Sequence, residues 1–293
     1  MRDTVFILCR AKYRNTSSYH LMNELKARGI NAYRVLATRV PRRAVERCFA
    51  VVNWGVSATP IWAGRLHPSV RWYNSTETVH LSANKRLMSQ ALARSAVPHL
   101  ETTTSRGVAE QWMGEEHTVV TRTILTGCRG AGIVLSPPDP LPQARLYTKL
   151  YRGPRTREYR AYIVGGQVID LTEKRRWSVE RTDAAGIDRN DPYTKLIRCN
   201  GNGWVFARHN LDATPAQQAI IRQRARDAAD SIDLGVGAVD LIAKYSSTAN
   251  GRELLGVVVV ETNTSVSLVG DRNTRSIMAS RLAYECSVYD RSI

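Results

Sequence analysis

The run Val257-Val-Val-Val-Glu261-Thr-Asn263-Thr-Ser265 constrains this chain more than any other stretch. Four β-branched residues in a row after Gly256 fit a buried strand, because branching at Cβ suits a pleated surface and full burial removes the need for polar alternation. Side chains alternate along a strand, so Glu261 and Asn263 leave it on the same face. A carboxylate and an amide carbonyl side by side are hard oxygen donors of the kind Mg²⁺ takes together with water and phosphate oxygens. Val236-Gly-Ala-Val-Asp240-Leu-Ile-Ala243 is a second apolar strand holding one acid. An acid inside an apolar run is costly unless something pairs it. Asp240, Glu261 and Asn263 are therefore candidate metal ligands, the alternative being that the two acids meet arginines or backbone donors in a structural network.

With 293 residues the chain is long enough for two or three compact units. Its longest apolar run, Leu254 to Val260, is far too short to span a bilayer, and Met1-Arg-Asp with a short apolar stretch is no signal peptide. The expectation is a cytoplasmic protein without membrane contact. Five scattered cysteines (Cys9, Cys48, Cys128, Cys199, Cys286) contain no close pair for zinc, redox chemistry or a disulfide framework. The unusual bulk property is charge: 42 Lys+Arg against 26 Asp+Glu, net +16. Such an excess points to a polyanion, whether nucleic acid, nucleoside triphosphate or acidic polypeptide, or to a surface that is merely basic throughout.

In chain order, Thr4–Leu8, Ile30–Leu36 and Phe49–Val52 read as strands and Thr16–Arg28 as a helix, a small α/β unit ending near residue 80. Ser82-Ala-Asn-Lys85 opens a helix that Val97-Pro98 ends. His117–Arg122 and Ile133–Leu135 form a hairpin around Gly127-Cys-Arg-Gly130-Ala-Gly132, and consecutive glycine N–H groups can converge on an anion. Arg145–Lys149 is the next strand. Glu158–Val164, Gly165-Gly166 and Gln167–Leu171 make a second hairpin. The basic cluster from Lys149 to Arg176, interleaved with Tyr147, Tyr151, Tyr159 and Tyr162, suits either base stacking on a single strand or the lining of a nucleotide pocket. Lys195–Arg198 and Val205-Phe206 read as strand-like around the loop Asn200–Trp204. Thr214-Pro-Ala-Gln217 starts a packing helix with a capping box. Tyr245–Arg252 reads as the polar turn between the two acid-bearing strands, and Arg275–Tyr289 as a closing helix.

The order Asn84-Lys85, Arg122 before Gly127–Gly132, Tyr147-Thr-Lys149, Glu158-Tyr-Arg160, Lys174-Arg-Arg, Asn202-Gly-Trp204-Val-Phe, Asp240 and Glu261-Thr-Asn263-Thr-Ser265 resembles the ATP-grasp superfamily of carboxylate–amine or thiol ligases, and in detail its bacteriophage-encoded members. The likeness runs from about residue 82 to 270. The first 80 residues resemble the small α/β domain that commonly precedes the grasp. It implies an α+β fold of two lobes holding ATP, with an N-terminal α/β domain over residues 1–81, a small lobe over 82–145 and a large lobe over 146–293. It further implies Lys85, Arg122, Gly127, Gly130, Gly132 and Asn202 on the nucleotide, adenine at the hinge Tyr147, Thr148, Lys149 and Leu150, Mg²⁺ on Asp240, Glu261 and Asn263, and Arg160, Arg122 and Lys174 at the reaction centre. Two departures stand out: arginine occupies the usual lysine position at residue 122, with one extra residue before the first glycine, and the hinge lacks the acid that often grips the ribose. The implied activity is ATP-dependent joining of a carboxylate (amino acid, peptide or protein) to an amine through an acylphosphate. The alternatives are a basic nucleic-acid-binding phage protein built on this fold, binding weakly and without sequence preference, and a grasp-type kinase.

Overall fold

The computed structural model describes residues 3–11, 16–126, 131–137, 139–151, 155–248, 251–269 and 271–290. Its first unit contains β1 (Thr4–Cys9), α1 (Thr16–Ala27), β2 (Asn31–Val35), α2 (Arg42–Glu46), β3 (Cys48–Trp54) and β4 (Arg71–Tyr73), with the strands all parallel in the order β2-β1-β3-β4. β1 is buried along its whole length, as expected of a parallel strand covered on both faces. Its pleat divides the unit: Phe6 and Leu8 pack with Val45 and Trp62, while Val5 and Ile7 pack with Leu21, Leu25 and the large sheet described below.

Two helices, α3 (Thr76–Ala83) and α4 (Lys85–Arg94), lead into a second sheet. Its elements are β5 (Thr102–Thr103), α5 (Arg106–Gly114), β6 (Val119–Arg122), β7 (Ile133–Ser136) and β8 (Leu146–Lys149), with strand order β5-β8-β6-β7. The third sheet contains β9 (Thr156–Val164), β10 (Gln167–Arg176), β11 (Trp204–Ala207), β12 (Val236–Thr248) and β13 (Gly251–Asn263), in the order β11-β10-β9-β12-β13. α6 (Val179–Ala184) and α7 (Pro192–Leu196) lie between β10 and β11. α8 (Pro215–Ser231) precedes β12, and α9 (Arg272–Asp290) follows β13. Among the described residues no helix is long and apolar enough to cross a membrane.

Alternation along the third sheet decides where a site can open. Tyr159, Ala161, Ile163, Val239, Leu241 and Ala243 face one way, into the core that α4 and α8 cover. Tyr162, Val164, Val236 and Ala238 face the other way, into the core shared with the first unit and α9. Glu158, Arg160 and Asp240 continue this second face beyond that core, so the first unit shields one end of the face and polar groups occupy the other.

Several expectations change. Lys195–Arg198 is not a strand: Asp191 accepts from Tyr193 and Thr194 N–H groups and Pro192 occupies the first turn, so the segment Pro192–Leu196 is helical. Tyr245–Arg252 is not simply a turn, since β12 runs to Thr248 and β13 begins at Gly251, and the buried Tyr245 hydroxyl lies 2.9 Å from that of Tyr159. The helix foreseen from Ser82 starts at Lys85 instead, because Asn84 leaves helical geometry and caps α4, while Ser82 and Ala83 end the preceding α3. Leu146–Lys149 pairs with β5 and β6, so the second sheet continues past residue 145. α4 packs its apolar side on the third sheet's core even though it precedes the second sheet.

Asn74 joins the first and third sheets. It has a φ of 68°, a left-handed conformation that asparagine tolerates better than most residues. Its amide donates to the carbonyls of Asn53 at 3.1 Å and Val236 at 2.6 Å, and its Oδ1 accepts from the N–H groups of Gly235 and Val236. Replacing it with Ala leaves buried backbone groups unpaired. Asn74→Ala should lower the unfolding free energy by on the order of 3 kcal/mol, measured by urea denaturation.

Candidate functional site

Register brings the charged residues together. Arg160 on β9 stands opposite Asp240 on β12, and Asp240 opposite Glu261 on β13. Thr172 on β10 extends the same row. A β-bulge makes this arrangement: Asp240 pairs with Glu261 and Leu241 with Val259, so Val260 is an extra residue on β13. Under strict alternation Val259 and Glu261 would share a face. The bulge keeps Val259 fully buried in the α8 core while turning Glu261 out beside Asp240. Regular pairing then resumes, Thr262 with Val239 and Asn263 with Ala238, which puts Asn263 back on the Glu261 face. Gly237 permits the close approach here, because a Cβ on it would lie 2.2 Å from the Asn263 carbonyl oxygen.

Each acid has a cation. Arg160 grips Asp240 through two parallel bonds, Nε to Oδ1 at 2.6 Å and Nη2 to Oδ2 at 2.7 Å. Lys85 Nζ lies 2.9 Å from Glu261 Oε2, and Asn263 Nδ2 donates to Glu261 Oε1 at 3.2 Å. Lys174 pairs with the buried carboxylate of Glu158. The Arg160 guanidinium and the Lys174 ammonium both lie against the ring of Phe206, 4.2 and 4.8 Å from its centre. Lys85 is the first residue of α4. Asn84 caps that helix by accepting from the Arg86 and Leu87 N–H groups, and the Lys85 N–H donates to Leu125 O just past β6.

Burial opposes ionisation of Glu261, but the charge and hydrogen bond of Lys85 and the charge of Arg122 outweigh it and hold this carboxyl far below the usual carboxylate range. For Asp240, burial pushes the carboxyl up while Arg160 opposes it, and the neighbouring Glu261 adds to the rise. The same partnership holds Arg160 firmly protonated despite its burial. Among the described residues no group of three or more His, Cys, Asp and Glu side chains is placed to hold a metal. The set here is two carboxylates and an amide; the Asn263 amide donates to Glu261 through Nδ2, and its carbonyl oxygen is the third hard oxygen of a kind suited to Mg²⁺.

The other expected residues divide. Lys85, Arg122 and Thr148 line one cleft between the second and third sheets, together with Met88, His99 and Val260. Tyr147 turns its ring fully inward under α5, with its hydroxyl donating to Pro142 O at 3.0 Å. Lys149 points away from the Phe206 group: its Nζ lies 3.8 Å from both Glu101 and Glu115, above the Trp112 ring. The Leu150 N–H donates to Thr118 O. The Asn202 amide donates to Ile197 O at 2.7 Å within its own loop. Gly132 has a φ of 71°, and Gly127 and Gly130 lie outside the described residues. Phe206, Glu158 and Val260 carried no assigned role in the sequence. Phe206 had a signal in the Trp204-Val-Phe motif, and Glu158 in its place two residues before Arg160.

Neither a family model nor a curated protein sequence matches the chain. Solved structures do. An ATP-grasp ligase, PsnB, complexed with its minimal precursor superposes with a TM-score of 0.63 at 12% identity, covering 99% of this chain and 100% of that one. The chain has the ATP-grasp fold. D-alanyl-alanine synthetase A from Vibrio cholerae gives a TM-score of 0.60 at 13% identity, covering 96% and 94% of the two chains. A RimK-domain ATP-grasp protein from Sphaerobacter thermophilus gives 0.52 at 14%, covering 94% and 98%. In this fold the second and third sheets flank the cleft that Lys85, Arg122 and Thr148 line.

The Arg160–Asp240 pair is nearly buried. Removing one partner of such a pair strands the other, whereas replacing both by apolar groups is close to neutral. Arg160→Met should therefore cost about 3 kcal/mol of stability, and Arg160→Met combined with Asp240→Leu should recover most of it. A urea-denaturation double-mutant cycle reads both.

Proposed function

We propose that this chain is an ATP-dependent ligase that joins a carboxylate to an amine through an acylphosphate. The observation that carries this reading is the row Arg160, Asp240, Glu261 with Asn263 and Lys85, set at the cleft between two sheets of an ATP-grasp fold. The similar ligase PsnB has been solved with Mg and ADP, and with a precursor peptide and AMPPNP. That supports a nucleotide in the equivalent cleft here and a peptide among the candidate acids. The finer likeness to bacteriophage ATP-grasp proteins rests on the sequence motifs alone.

A carboxylate is a poor electrophile, so its oxygen first takes the terminal phosphoryl group of ATP, releasing ADP. An amine then attacks the acyl carbon and phosphate leaves. The first step needs mainly positioning and neutralisation of charge. Mg²⁺ held by Asp240, Glu261 and Asn263 would neutralise phosphate oxygens. Around it four cations, Lys85, Arg122, Arg160 and Lys174, face three carboxylates, Glu158, Asp240 and Glu261. The balance is positive, as an anionic ligand requires. Phe206 holds Arg160 and Lys174 at one place, and Thr148 and Met88 line the cleft beside Lys85. Gly127 and Gly130 remain part of the proposed phosphate loop, and Leu150 of the proposed adenine hinge. A single-strand nucleic-acid platform is disfavoured, because three of the four interleaved tyrosines, Tyr147, Tyr159 and Tyr162, are buried, leaving only the half-buried Tyr151, with the Lys244 ammonium 5.9 Å from its ring centre.

Incubation with ATP, Mg²⁺ and pools of amino acids, peptides and polyamines should release ADP and give a product of increased mass. Glu261→Gln keeps the shape and removes the charge. It should abolish ADP release while leaving the far-ultraviolet circular dichroism unchanged; undiminished turnover in that variant would defeat the metal assignment. Millimolar Mg·ATP should also raise the melting temperature of the wild type, since a ligand that binds only the folded state stabilises it by mass action.

A further inference from the structure

Glu261 already has a cation. The Lys85 ammonium, on a side chain 9% exposed, sits 2.9 Å from Oε2, and the Asn263 amide occupies Oε1. Lys85 does not belong to the sheet that carries the acid. It starts α4, which Met88 fixes against β13, its Sδ accepting from the Thr262 N–H at 3.3 Å, while Ser82 at the end of α3 donates from Oγ to Thr262 O at 2.9 Å. The backbone of Lys85 also reaches the Leu125 carbonyl beside the candidate phosphate loop. One residue thus touches the carboxylate and the segment that leads into that loop, on a flexible stem ending in a compact charge that can exchange partners.

We propose that Lys85 is a built-in counter-ion of Glu261 that keeps divalent cations off this carboxylate until the phosphates of a nucleotide draw the ammonium away. The proposal rests on the metal reading above and adds to it an order of loading. An ammonium and a divalent cation repel each other on one carboxylate, so cation binding without nucleotide has to displace Lys85 with no new partner to receive it. Nucleotide phosphates supply that partner. Arg160 does not behave in the same way: its planar, bidentate pairing with the nearly buried Asp240, backed by Phe206, holds it in place. Coupling between two ligands is reciprocal, so the cation and the nucleotide each raise the other's affinity through the release of Lys85.

The test counts free Mn²⁺ by its electron paramagnetic resonance signal in titrations of wild type, Lys85→Met and Lys85→Arg, each with and without ADP. Without ADP, Lys85→Met should bind Mn²⁺ about tenfold more tightly than wild type, within the span of ordinary couplings between sites. Lys85→Arg should behave like wild type. Adding ADP should tighten Mn²⁺ binding to wild type by a larger factor than to Lys85→Met. Glu261→Gln in the Lys85→Met background should remove the gain. Thermal melting checks that each variant folds, and Lys85→Gln replaces Lys85→Met if the latter melts early. Equal Mn²⁺ affinity of wild type and the neutral variant without ADP overturns the counter-ion role, as does a gain that survives Glu261→Gln. Failure of wild type to bind Mn²⁺ even with ADP overturns the metal reading itself, a separate result.

Discussion

The site depends on two carboxylates held side by side on neighbouring strands, and on the cations that make this tolerable. Two acids opposite each other on a sheet repel, and Asp240 is nearly buried. Arg160 answers one from within the sheet, and Lys85 answers the other from a helix outside it. The first pair is planar and doubly bonded, so it is rigid. The second is a single contact from a flexible stem, so it can be exchanged. This difference in geometry gives the two acids different roles although they are partners in one row.

The bulge at Val260 carries as much weight as the charges. Were Val260 paired in regular register opposite Asp240 instead of bulged, Glu261 would point into the core with Val259, away from Lys85. The insertion costs local ladder regularity and in exchange sets three oxygen-bearing side chains on one face. Gly237 accommodates the close backbone approach on the partner strand. The valine run is therefore not only a hydrophobic filler; it supplies a strand firmly enough packed to carry an irregularity at its end.

Much of this was legible in the sequence because the relevant rules are local. Two-residue periodicity puts Glu261 and Asn263 together, and the structure keeps them so, since pairing is regular after the bulge. The bulge itself had no signal: four valines give no clue to which one drops out of register. The helix Pro192–Leu196 had a signal in Asp191-Pro192, overridden by the apolar Leu196 and Ile197 that suggested a strand. Lys149 was grouped with Arg160 and Lys174 because it is close to them along the chain, yet β8 belongs to another sheet and its lysine turns to Glu101 and Glu115. Partners supplied by a different sheet or helix, such as Lys85 for Glu261, follow from packing that no window of sequence contains. What the resemblance in motifs added was the order of the pieces, which does not depend on seeing their contacts.

The excess of positive charge separates into two populations. Around the row of acids four cations meet three carboxylates, leaving a small local surplus among largely buried groups, where salt screens charge less than at the surface. On α8, Arg224 pairs with Asp227, Arg226 bonds to Gln223 and Arg222 reaches the Val168 carbonyl, all near solvent, where salt screens them. A nucleic acid attracted to this surface would feel the second population and respond steeply to salt. A nucleotide in the cleft would meet the first, fixed by geometry as much as by charge. The net charge of +16 is thus compatible with a small anionic ligand, because the surplus that a polyanion would sense lies on residues outside the row of acids and its counter-ions.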